Sequence, residues 1–346
     1  MKVAIFLPKG VYGGGERVLI TLMREFSKRK IDVVGYTRCK TIDKSIVPCK
    51  MIVLDNAKSK LKQVLDLSSS LKRENVGKVI VFGLDTIFFI ATRLAKVDYL
   101  YSLRVDPLQI DFKKLTYKYV LNRCERIVFQ TKHVQSYFPK SIQEKSCVIP
   151  NPILDDDLPE VSDCRKKKIV LVGRLSEEKN IEMAIRAFSQ TKHDGYSFHI
   201  YGTGPLLAKL QELVKQLSLE KEVVFEGQVV HVVDYIRDAE IFLLTSNFEG
   251  MPNALIEGLA MGLACISTDF PSGAAPELIE DGQSGFVVPM NDVNALAKRM
   301  QILISDDALR HRMQKKSVEI RQRLALDKII SQWVNFYSID DNYIRQ

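Results

Sequence analysis

The sequence predicts an α/β protein made of two Rossmann-like, doubly wound parallel-sheet domains with an interdomain cleft. Short apolar runs alternate with amphipathic helical stretches along all 346 residues, a pattern typical of parallel strands covered by helices on both faces. A polar, proline-punctuated stretch at residues 150–168 interrupts the alternation once, after which it restarts. The length and this interruption favour two domains. We expect the first at 1–155, the second at 156–325, and a C-terminal helix at 326–346 that packs back on the first.

Each half contributes its own set of predicted strands, and helical stretches lie between them. The seven strands of the first half are Val3–Leu7, Val33–Tyr36, Met51–Leu54, Lys78–Phe82, Tyr99–Leu103, Arg126–Gln130 and Cys147–Ile149. The six strands of the second half are Ile169–Val172, Ser197–Tyr201, Val223–Phe225, Ile241–Thr245, Ala264–Ser267 and Phe286–Val288. The predicted helices are about Glu16–Lys28, Lys58–Glu74, Phe112–Arg123, two that start near Asn180 and Pro205, and most of the tail from Asp292.

The composition excludes several classes of protein. The chain is 46% hydrophobic and 27% charged, as soluble globular proteins are. Its six cysteines form no CxxC pair and no metal-ligand spacing, so we expect reduced thiols in a cytoplasmic protein. The opening run is too short for a secretory signal peptide. The longest apolar stretch, Val79–Leu94, is broken by Asp85 and Arg93 and falls short of the ~20 residues that span a bilayer, so no integral membrane helix is expected.

Charge is distributed unevenly between the two halves. The net charge is +8, but residues 1–155 hold 28 Lys and Arg against 14 Asp and Glu, whereas the remaining residues hold 22 against 28. An imbalance of this size bears on partners rather than on fold. Two interpretations stay open. The basic residues of the first half are solvated helix faces, or together they attract the chain to an anionic surface.

Two glutamates eight residues apart are the strongest candidates for a functional site. Glu249 lies in a Gly/Pro-rich turn after the apolar run Ile241–Thr245, and Glu257 lies inside the helix that this turn opens. Carboxylates placed in this way can face one cleft at different depths. They suit a polyhydroxylated ligand, because hydroxyl donors prefer charged acceptors. On spacing alone, the alternative is a pair of solvated helix carboxylates.

Further candidates follow the first two strands of the second half. Arg174 lies at the end of one strand and Lys179 near the start of the next helix, where two cations and the helix N-terminus can hold an anion. The alternative is a surface arginine and a lysine that balances neighbouring glutamates. Gly202 and Gly204 follow the next strand, and this pattern is consistent with either a tight structural turn or a ligand contact.

Three other segments need an interpretation. Gly13–Gly15 follows the first strand and can present amides to a phosphate, but it matches neither the dinucleotide fingerprint nor a Walker A loop. Ser272–Gly285 combines a Gly-rich loop and a short helix whose amides can face the same cleft. Asp155–Asp157 is expected to be a solvated run in the linker. The histidines are isolated along the sequence, so no Ser-His-Asp or Cys-His arrangement is predicted.

Taken together, six segments resemble the family-4 retaining glycosyltransferases of the GT-B fold, in order along nearly the whole chain. Each lies at a strand-to-helix corner or at the expected domain crossing. The segments are Gly13–Gly15, Ile149–Pro152, Gly173–Asn180, Tyr201–Pro205, Glu249–Glu257 and Gly282–Phe286. The family's two glutamates, separated by seven residues, match Glu249 and Glu257 without a gap.

The resemblance implies a role for each matched residue. Glu249 would contact the donor sugar near its reacting face, and Glu257 would accept hydrogen bonds from the ribose. Arg174 and Lys179 would hold the donor diphosphate and stabilise the leaving group electrostatically. No cofactor and no metal ion is implied. The remaining donor-binding residues would be Gly14, Gly15, Gly202, Gly204, Met251, Pro252, Asn253 and Ala254.

One departure from the family concerns the acceptor side. Many members carry a His after a strand of the first domain, but the comparable stretch here, Tyr101–Pro107, has none. Arg104 and Asp106 occupy this region, as in members with an (E/R)-x-D-P pattern that build bacterial surface polysaccharides. A front-face retaining reaction needs no protein nucleophile, so the absence of the His is compatible with activity.

The resemblance therefore implies transfer of a hexose or N-acetylhexosamine from a UDP-sugar to a polyprenyl-diphosphate-linked saccharide. The segments Pro252–Glu257 and Ser267–Gly273 look most like those of members using UDP-galactose, UDP-N-acetylgalactosamine or UDP-N-acetylglucosamine. The basic half would hold the chain peripherally at the cytoplasmic face of the cell membrane, and no nucleic-acid partner is expected. Two alternatives stay open: a nucleotide-sugar epimerase or hydrolase of the same fold, and a non-catalytic module that docks on membranes or nucleic acid.

Overall fold

The computed structural model describes residues 2–7, 14–38, 47, 49–54, 56, 59–104, 115–154, 158–162 and 164–338. The chain divides into two compact units. The first unit comprises Met1–Leu154 together with Leu326–Gln346, and the second comprises Asp155–Ala325. The change from the first unit to the second falls inside the polar stretch that begins at residue 150.

The first unit contains one parallel sheet whose strands are connected by helices. Its strands are β1 (Lys2–Leu7), β2 (Val33–Thr37), β3 (Lys50–Val53), β4 (Val76–Phe82), β5 (Asp98–Ser102), β6 (Arg126–Phe129) and β7 (Ser146–Val148). Its helices are α1 (Gly14–Lys28), α2 (Lys60–Arg73), α3 (Thr86–Ala95), α4 (Leu115–Arg123), α5 (Lys132–Ser136), α6 (Lys140–Gln143) and, from the C-terminal segment, α15 (Leu326–Ser338). The strand order is β3-β2-β1-β4-β5-β6-β7. The direction of winding reverses between β1 and β4, which makes this the topological switch point.

The second unit repeats the same plan with six strands. They are β8 (Lys168–Val172), β9 (Ser197–Tyr201), β10 (Val223–Gly227), β11 (Ile241–Leu244), β12 (Ala264–Thr268) and β13 (Gly285–Val288). The helices are α7 (Ile181–Ser189), α8 (Leu207–Gln216), α9 (Val233–Ile236), α10 (Asn253–Ala260), α11 (Ala274–Leu278), α12 (Val293–Ser305), α13 (Asp307–Ser317) and α14 (Ile320–Arg323). The order is β10-β9-β8-β11-β12-β13, so the switch point lies between β8 and β11.

Helices cover the sheets and bury the inner strands almost completely, whereas the edge strands β3 and β10 keep exposed residues. All pairings between the described strands are parallel, and a core of buried apolar side chains lies within each unit. Strands that are buried on both faces are continuous apolar runs, and for this reason they stand out in the sequence. The prediction of two Rossmann-like parallel sheets is confirmed, with seven strands in one and six in the other.

The apolar stretch 79–94 is a strand followed by a helix. β4 ends at Phe82, and Gly83 adopts a positive φ of 86°. Asp85 then caps α3, because its Oδ1 accepts a hydrogen bond from the backbone N–H of Phe88 at 2.9 Å. Among the helices of the described residues, none combines the length and the apolar character that crossing a membrane requires.

Candidate active site

The loops that follow β8 and β11 leave the second sheet at its switch point, where ligands of doubly wound folds bind. The two strands are neighbours and parallel, with Leu171 opposite Leu243. The loop after β8 carries Lys179, and the loop after β11 carries Glu249. The topology therefore makes neighbours of two residues that are 70 positions apart in the sequence.

An ion pair joins these two loops. Nζ of Lys179 donates a hydrogen bond to Oε1 of Glu249 at 2.5 Å, and only 21% and 13% of the two side chains is exposed. The methylene stem of Lys179 packs on the loop after β8, since a β-carbon placed on Gly173 would lie 3.6 Å from it. The pair therefore sets one cation and one carboxylate at the carboxyl edge of the sheet.

Side chains at the ends of the strands hold both partners of the ion pair. Oγ of Ser246, which is fully buried, donates to the same Oε1 of Glu249 at 2.8 Å. Oγ1 of Thr268 donates to the Ser246 carbonyl at 2.6 Å, and Oγ1 of Thr245 donates to the Lys179 carbonyl at 3.0 Å. These supporting hydroxyls were not predicted. Their position at or just after the end of an apolar strand is the signal that identifies them.

Arg174 lies on the same loop as Lys179 but outside this network. Its side chain is exposed and makes no hydrogen bond or ion pair with any residue in the described part of the chain. The loop closes through a 3₁₀ turn, Glu177–Lys179, and through Asn180, whose φ of 44° is left-handed. The structure thus brings Lys179 and Glu249 together and leaves the guanidinium of Arg174 open to solvent.

Gly202 and Gly204 let the loop after β9 lie against the loop after β8. Gly202 has a φ of 139°, and a β-carbon on it would lie 1.9 Å from the carbonyl oxygen of Gly173. A β-carbon on Gly204 would lie 2.3 Å from the carbonyl oxygen of Leu175. Both contacts are far shorter than van der Waals distance, so close packing of the backbone accounts for glycine at both positions.

The loop after β11 leads directly into α10. Pro252 occupies the N-cap position and Asn253 begins the helix. The loop is tied to the one after β12, since Oγ of Ser272 donates to the Gly250 carbonyl at 2.6 Å. The N-terminus of α10 is therefore held at the carboxyl edge of the sheet. The predicted donor-binding residues here are buried or half-buried: Met251, Pro252, Asn253 and Ala254.

Glu257 lies on α10, one turn after Asn253, and only 5% of the residue is exposed. The helix approaches β11 closely, because a β-carbon on Gly258 would lie 2.7 Å from the ring of Phe242. Glu249 and Glu257 therefore differ in depth. The first lies in a loop at the edge of the sheet, and the second lies in a helix packed on its face.

In the first unit, two of the predicted residues begin α1 at the switch point of the sheet. Gly14 and Gly15 are exposed and follow β1. A β-carbon on Gly15 would meet no atom of the described residues within 4 Å, so their packing does not require glycine there. Gly13 and Asp106 lie outside the described residues.

Arg104 follows β5 and is held by polar and aromatic contacts within the first unit. Its Nε donates to Oγ of Ser102 at 2.8 Å, and its Nη1 donates to Oδ1 of Asn151 at 2.6 Å. The guanidinium lies over the rings of Phe82 and Trp333, 4.3 and 5.3 Å from their centroids. Burial lowers the pKa of Arg104 to about 9. The contact with Trp333 links the end of β5 to the C-terminal helix α15.

A hydroxyl–imidazole–carboxylate chain on the second unit was not predicted. Nε2 of His199 lies 2.9 Å from Oγ of Ser197, and Nδ1 lies 2.6 Å from Oε1 of Glu226. His199 is isolated along the sequence but not in the structure, because its carboxylate partner lies on the adjacent strand. Ser197 is the first residue of β9, so this chain begins at the edge of the sheet opposite the candidate site. Among the described residues, no group of three or more His, Cys, Asp and Glu side chains is placed to hold a metal ion.

Residues 157–319, which make up most of the second unit, match the sequence model of the family described as glycosyl transferases group 1. An exopolysaccharide phosphotransferase of Streptomyces coelicolor is 30% identical over 220 residues, which cover 62% of this chain. The aligned part is only 23% of that protein, so the chain spans about a quarter of this relative's length.

Another relative matches along its whole length. It is the N-acetylgalactosamine-N,N'-diacetylbacillosaminyl-diphospho-undecaprenol 4-alpha-N-acetylgalactosaminyltransferase of Campylobacter jejuni, 28% identical over 362 residues, covering 95% of this chain and 96% of that protein. Among solved structures, HepE of Anabaena in complex with UDP and glucose has a TM-score of 0.83 at 18% identity, covering 98% of this chain and 99% of that one. The chain therefore has the GT-B fold, and its sequence is similar to those of glycosyltransferases, with the group 1 family model matching most of its second unit.

Proposed function

We propose that the chain is a retaining glycosyltransferase that moves a hexose or N-acetylhexosamine from a UDP-sugar to a lipid-linked saccharide in the synthesis of a cell-surface polysaccharide. The observation that carries the proposal is the Lys179–Glu249 pair at the switch point of the second sheet. It sets a cation suited to a diphosphate beside a carboxylate suited to a sugar hydroxyl. Two relatives support the substrate classes: the Campylobacter protein is named for a diphospho-undecaprenol-linked substrate, and HepE was crystallised with UDP and glucose.

The ion pair changes partners when the donor binds. Without a donor, Lys179 neutralises Glu249. We expect the diphosphate to attract the ammonium of Lys179 and the exposed guanidinium of Arg174, which frees Glu249 to accept a hydrogen bond from the sugar near its anomeric carbon. As the bond to UDP breaks, negative charge grows on the diphosphate, and the two cations stabilise it. These cations supply the positive charge that the leaving group needs, so we propose that no metal ion or other cofactor takes part.

We propose the remaining donor contacts for the other residues that the resemblance matches. Glu257 accepts hydrogen bonds from the ribose hydroxyls. The amides of residues 251–254 at the start of α10, with those of Gly14 and Gly15 at the start of α1, contact the sugar and the phosphates. Gly202 and Gly204 contribute by keeping the loop after β9 close to the loop that carries the two cations.

On the acceptor side we propose Arg104 and Asp106. Nη2 of Arg104 is buried and has no hydrogen-bond partner among the described residues, so it retains a donor for an acceptor oxygen. In a front-face reaction the incoming hydroxyl and the departing diphosphate share one face of the sugar, so the hydroxyl gives its proton to a diphosphate oxygen as the new glycosidic bond forms, and no protein nucleophile is needed. A lipid-linked acceptor would hold the chain peripherally at the cytoplasmic face of the membrane.

Thermal unfolding with UDP and a panel of UDP-sugars tests the donor site. A ligand present at 100 times its Kd stabilises the native state by about 2.7 kcal/mol, which raises the Tm by several degrees in a chain of this size. Lys179→Ala should abolish most of the shift. Lys215→Ala, at an exposed position on α8, should retain it as the matched control. A wild-type Tm that no UDP-sugar raises would contradict the proposal.

Incubation with UDP-sugars in the absence of acceptor separates transfer from the related chemistries. We expect slow release of UDP and no new sugar epimer, because the acceptor hydroxyl is missing. Turnover without acceptor at rates comparable to those with it would assign the chain to hydrolysis or epimerisation instead.

A further inference from the structure

Three neighbouring helices of the first unit form one layer on its sheet. α2 packs alongside α3, and α3 contacts α4 through the edge-to-face rings of Phe89 and Tyr119, whose centroids are 5.9 Å apart. The inner side of the layer is buried in the core of the unit through residues such as Leu67 on α2 and Phe88 on α3. The outer side of the layer therefore faces away from this core.

The outer side carries a group of exposed apolar side chains. On α2, Leu61 is 71% exposed and Leu65 is 52% exposed, and on α3, Ile90 is 47% exposed and Leu94 is 49% exposed. Each pair is spaced four residues apart, so both members lie on one stripe of their helix. Tyr119 on α4 is 52% exposed. The described part of the chain has other large exposed apolar residues, but these five lie together on one layer of helices.

Cations surround the apolar stripes. Among the described residues, eight exposed Lys and Arg residues lie on these helices or at their ends, against three exposed carboxylates, Asp66, Asp98 and Glu125. Glu125 is already paired with Arg93 at 2.9 Å, and the guanidinium of Arg123 lies 4.6 Å from the centroid of the Tyr119 ring. The exposed cations are Lys60, Lys62, Lys72, Arg73, Arg93, Lys96, Lys118 and Arg123.

We propose that the outer side of α2, α3 and α4, referred to as the helical face, docks the chain on an anionic lipid bilayer. Helices that lie in a membrane interface combine an apolar stripe with flanking Lys and Arg. The long basic side chains reach the headgroups while the leucines and isoleucine enter the acyl boundary. A nucleic acid would use the cations but leave the apolar stripes without a partner, so a bilayer accounts for more of the surface. This inference rests on the proposed function, in which the acceptor is lipid-linked.

Sedimentation of the full chain with lipid vesicles tests the proposal. We expect binding to vesicles of phosphatidylcholine mixed with phosphatidylglycerol, weaker binding to phosphatidylcholine alone, and release at high salt. Each Lys or Arg near an anionic surface strengthens binding about fivefold. Neutralising Lys62, Lys72, Lys118 and Arg123 to Gln should therefore weaken binding at least a hundredfold. The matched control neutralises four exposed cations of the second unit to Gln: Lys215, Lys221, Lys298 and Lys315.

A second variant tests the apolar stripes independently of charge. Replacing Leu61, Leu65, Ile90 and Leu94 by Ser should abolish vesicle binding. Replacing Val224 and Val230, which are exposed on the second unit, should not. Variants of the helical face that bind vesicles as the wild type does, or a wild type that binds none, would overturn the proposal. The proposal would also be overturned if the wild type bound nucleic acid but not vesicles and the Gln variant lost that binding.

The UDP-induced rise in Tm distinguishes this inference from the function on which it rests. Both variants of the helical face should retain the rise, since their substitutions lie outside the candidate active site. A rise that persists in a wild-type chain without vesicle affinity would overturn the docking surface and leave the transferase intact.

Discussion

At the scale of single residues, the candidate site depends on the ion pair between Lys179 and Glu249, which stays together while no ligand is bound. Lys179 and Glu249 are each mostly buried, and a desolvated charge that loses its partner destabilises a protein more than the pair stabilises it. Ser246 donates to the same carboxylate oxygen, so Glu249 is oriented even when the ammonium moves. The ion pair therefore keeps the ammonium of Lys179 next to the proposed diphosphate site.

Substitution of the pair should separate catalysis from stability. Lys179→Ala and Glu249→Ala should each lower turnover by about 10²–10³-fold, because each removes a group that acts on the transition state. Each should also lower the free energy of unfolding, because one charge is left without its partner. In the double variant both charges are gone, so stability should recover while turnover stays low.

Steady-state kinetics and urea denaturation of the two single variants and the double variant measure these effects as a double-mutant cycle. Lys215→Ala serves as the control for loss of a lysine. Recovery of turnover in the double variant would show that the pair is structural only.

At the scale of elements, the boundary inside the apolar stretch 79–94 shows how one polar side chain divides a strand from a helix. Both β4 and α3 are largely apolar, so hydrophobic periodicity does not separate them. Asp85 does, since its carboxylate caps α3 and also accepts from Nη1 of Arg38 at 2.5 Å. The cap can be recognised in the sequence, whereas the ion pair cannot, because Arg38 follows a different strand.

Replacing Asp85 should therefore destabilise the first unit through two separable effects. Asp85→Ala removes the cap and the partner of Arg38, and should lower the free energy of unfolding by about 1–2 kcal/mol. Asp85→Asn keeps a capping oxygen and removes only the charge, so it should lose less. Urea denaturation compares the two variants, and equal losses would show that the ion pair, and not the cap, holds the start of α3.

The loops of the second unit are built on backbone contacts that exclude side chains. Gly202→Ala should destabilise this unit by at least about 2 kcal/mol, because the new β-carbon would overlap the Gly173 carbonyl in a backbone conformation that alanine avoids. Gly15→Ala is the matched control. It adds a β-carbon to a helix position with open space and should leave stability unchanged or raise it. Calorimetric unfolding of both variants decides the outcome, and equal stability would contradict the proposed packing.

At the scale of the whole molecule, the sequence is informative about strands and loops, and less so about partners. Parallel strands buried on both faces are apolar runs, so all the strands described were predicted within a few residues. The loops at the switch point could be identified because doubly wound folds bind their ligands at the carboxyl ends of the strands. Three pairings depend on the strand order and on the return of α15 to the first unit, and no local sequence pattern contains this information. They are Lys179 with Glu249, His199 with Glu226, and Arg104 with Trp333.

The reactivity of the buried cysteines reports on the unfolding of each unit separately. Burial raises the pKa of Cys124 and Cys147, in the first unit, to about 12, and it raises the pKa of Cys265, in the second unit, well above its ordinary value. Since the thiolate is the reactive form, these thiols should resist iodoacetamide at about pH 8 until their unit unfolds, whereas the exposed Cys164 should react at once.

Site-resolved labelling across a urea series then gives an unfolding midpoint for each unit. UDP should raise the midpoint at Cys265 more than the midpoint at Cys124, because most of the proposed donor contacts lie in the second unit and a ligand stabilises the unit that binds it. Lys179→Ala should remove this difference, whereas Lys215→Ala should preserve it. If UDP raised both midpoints equally in the wild type, the two units would unfold together and the donor would not stabilise the second unit in particular.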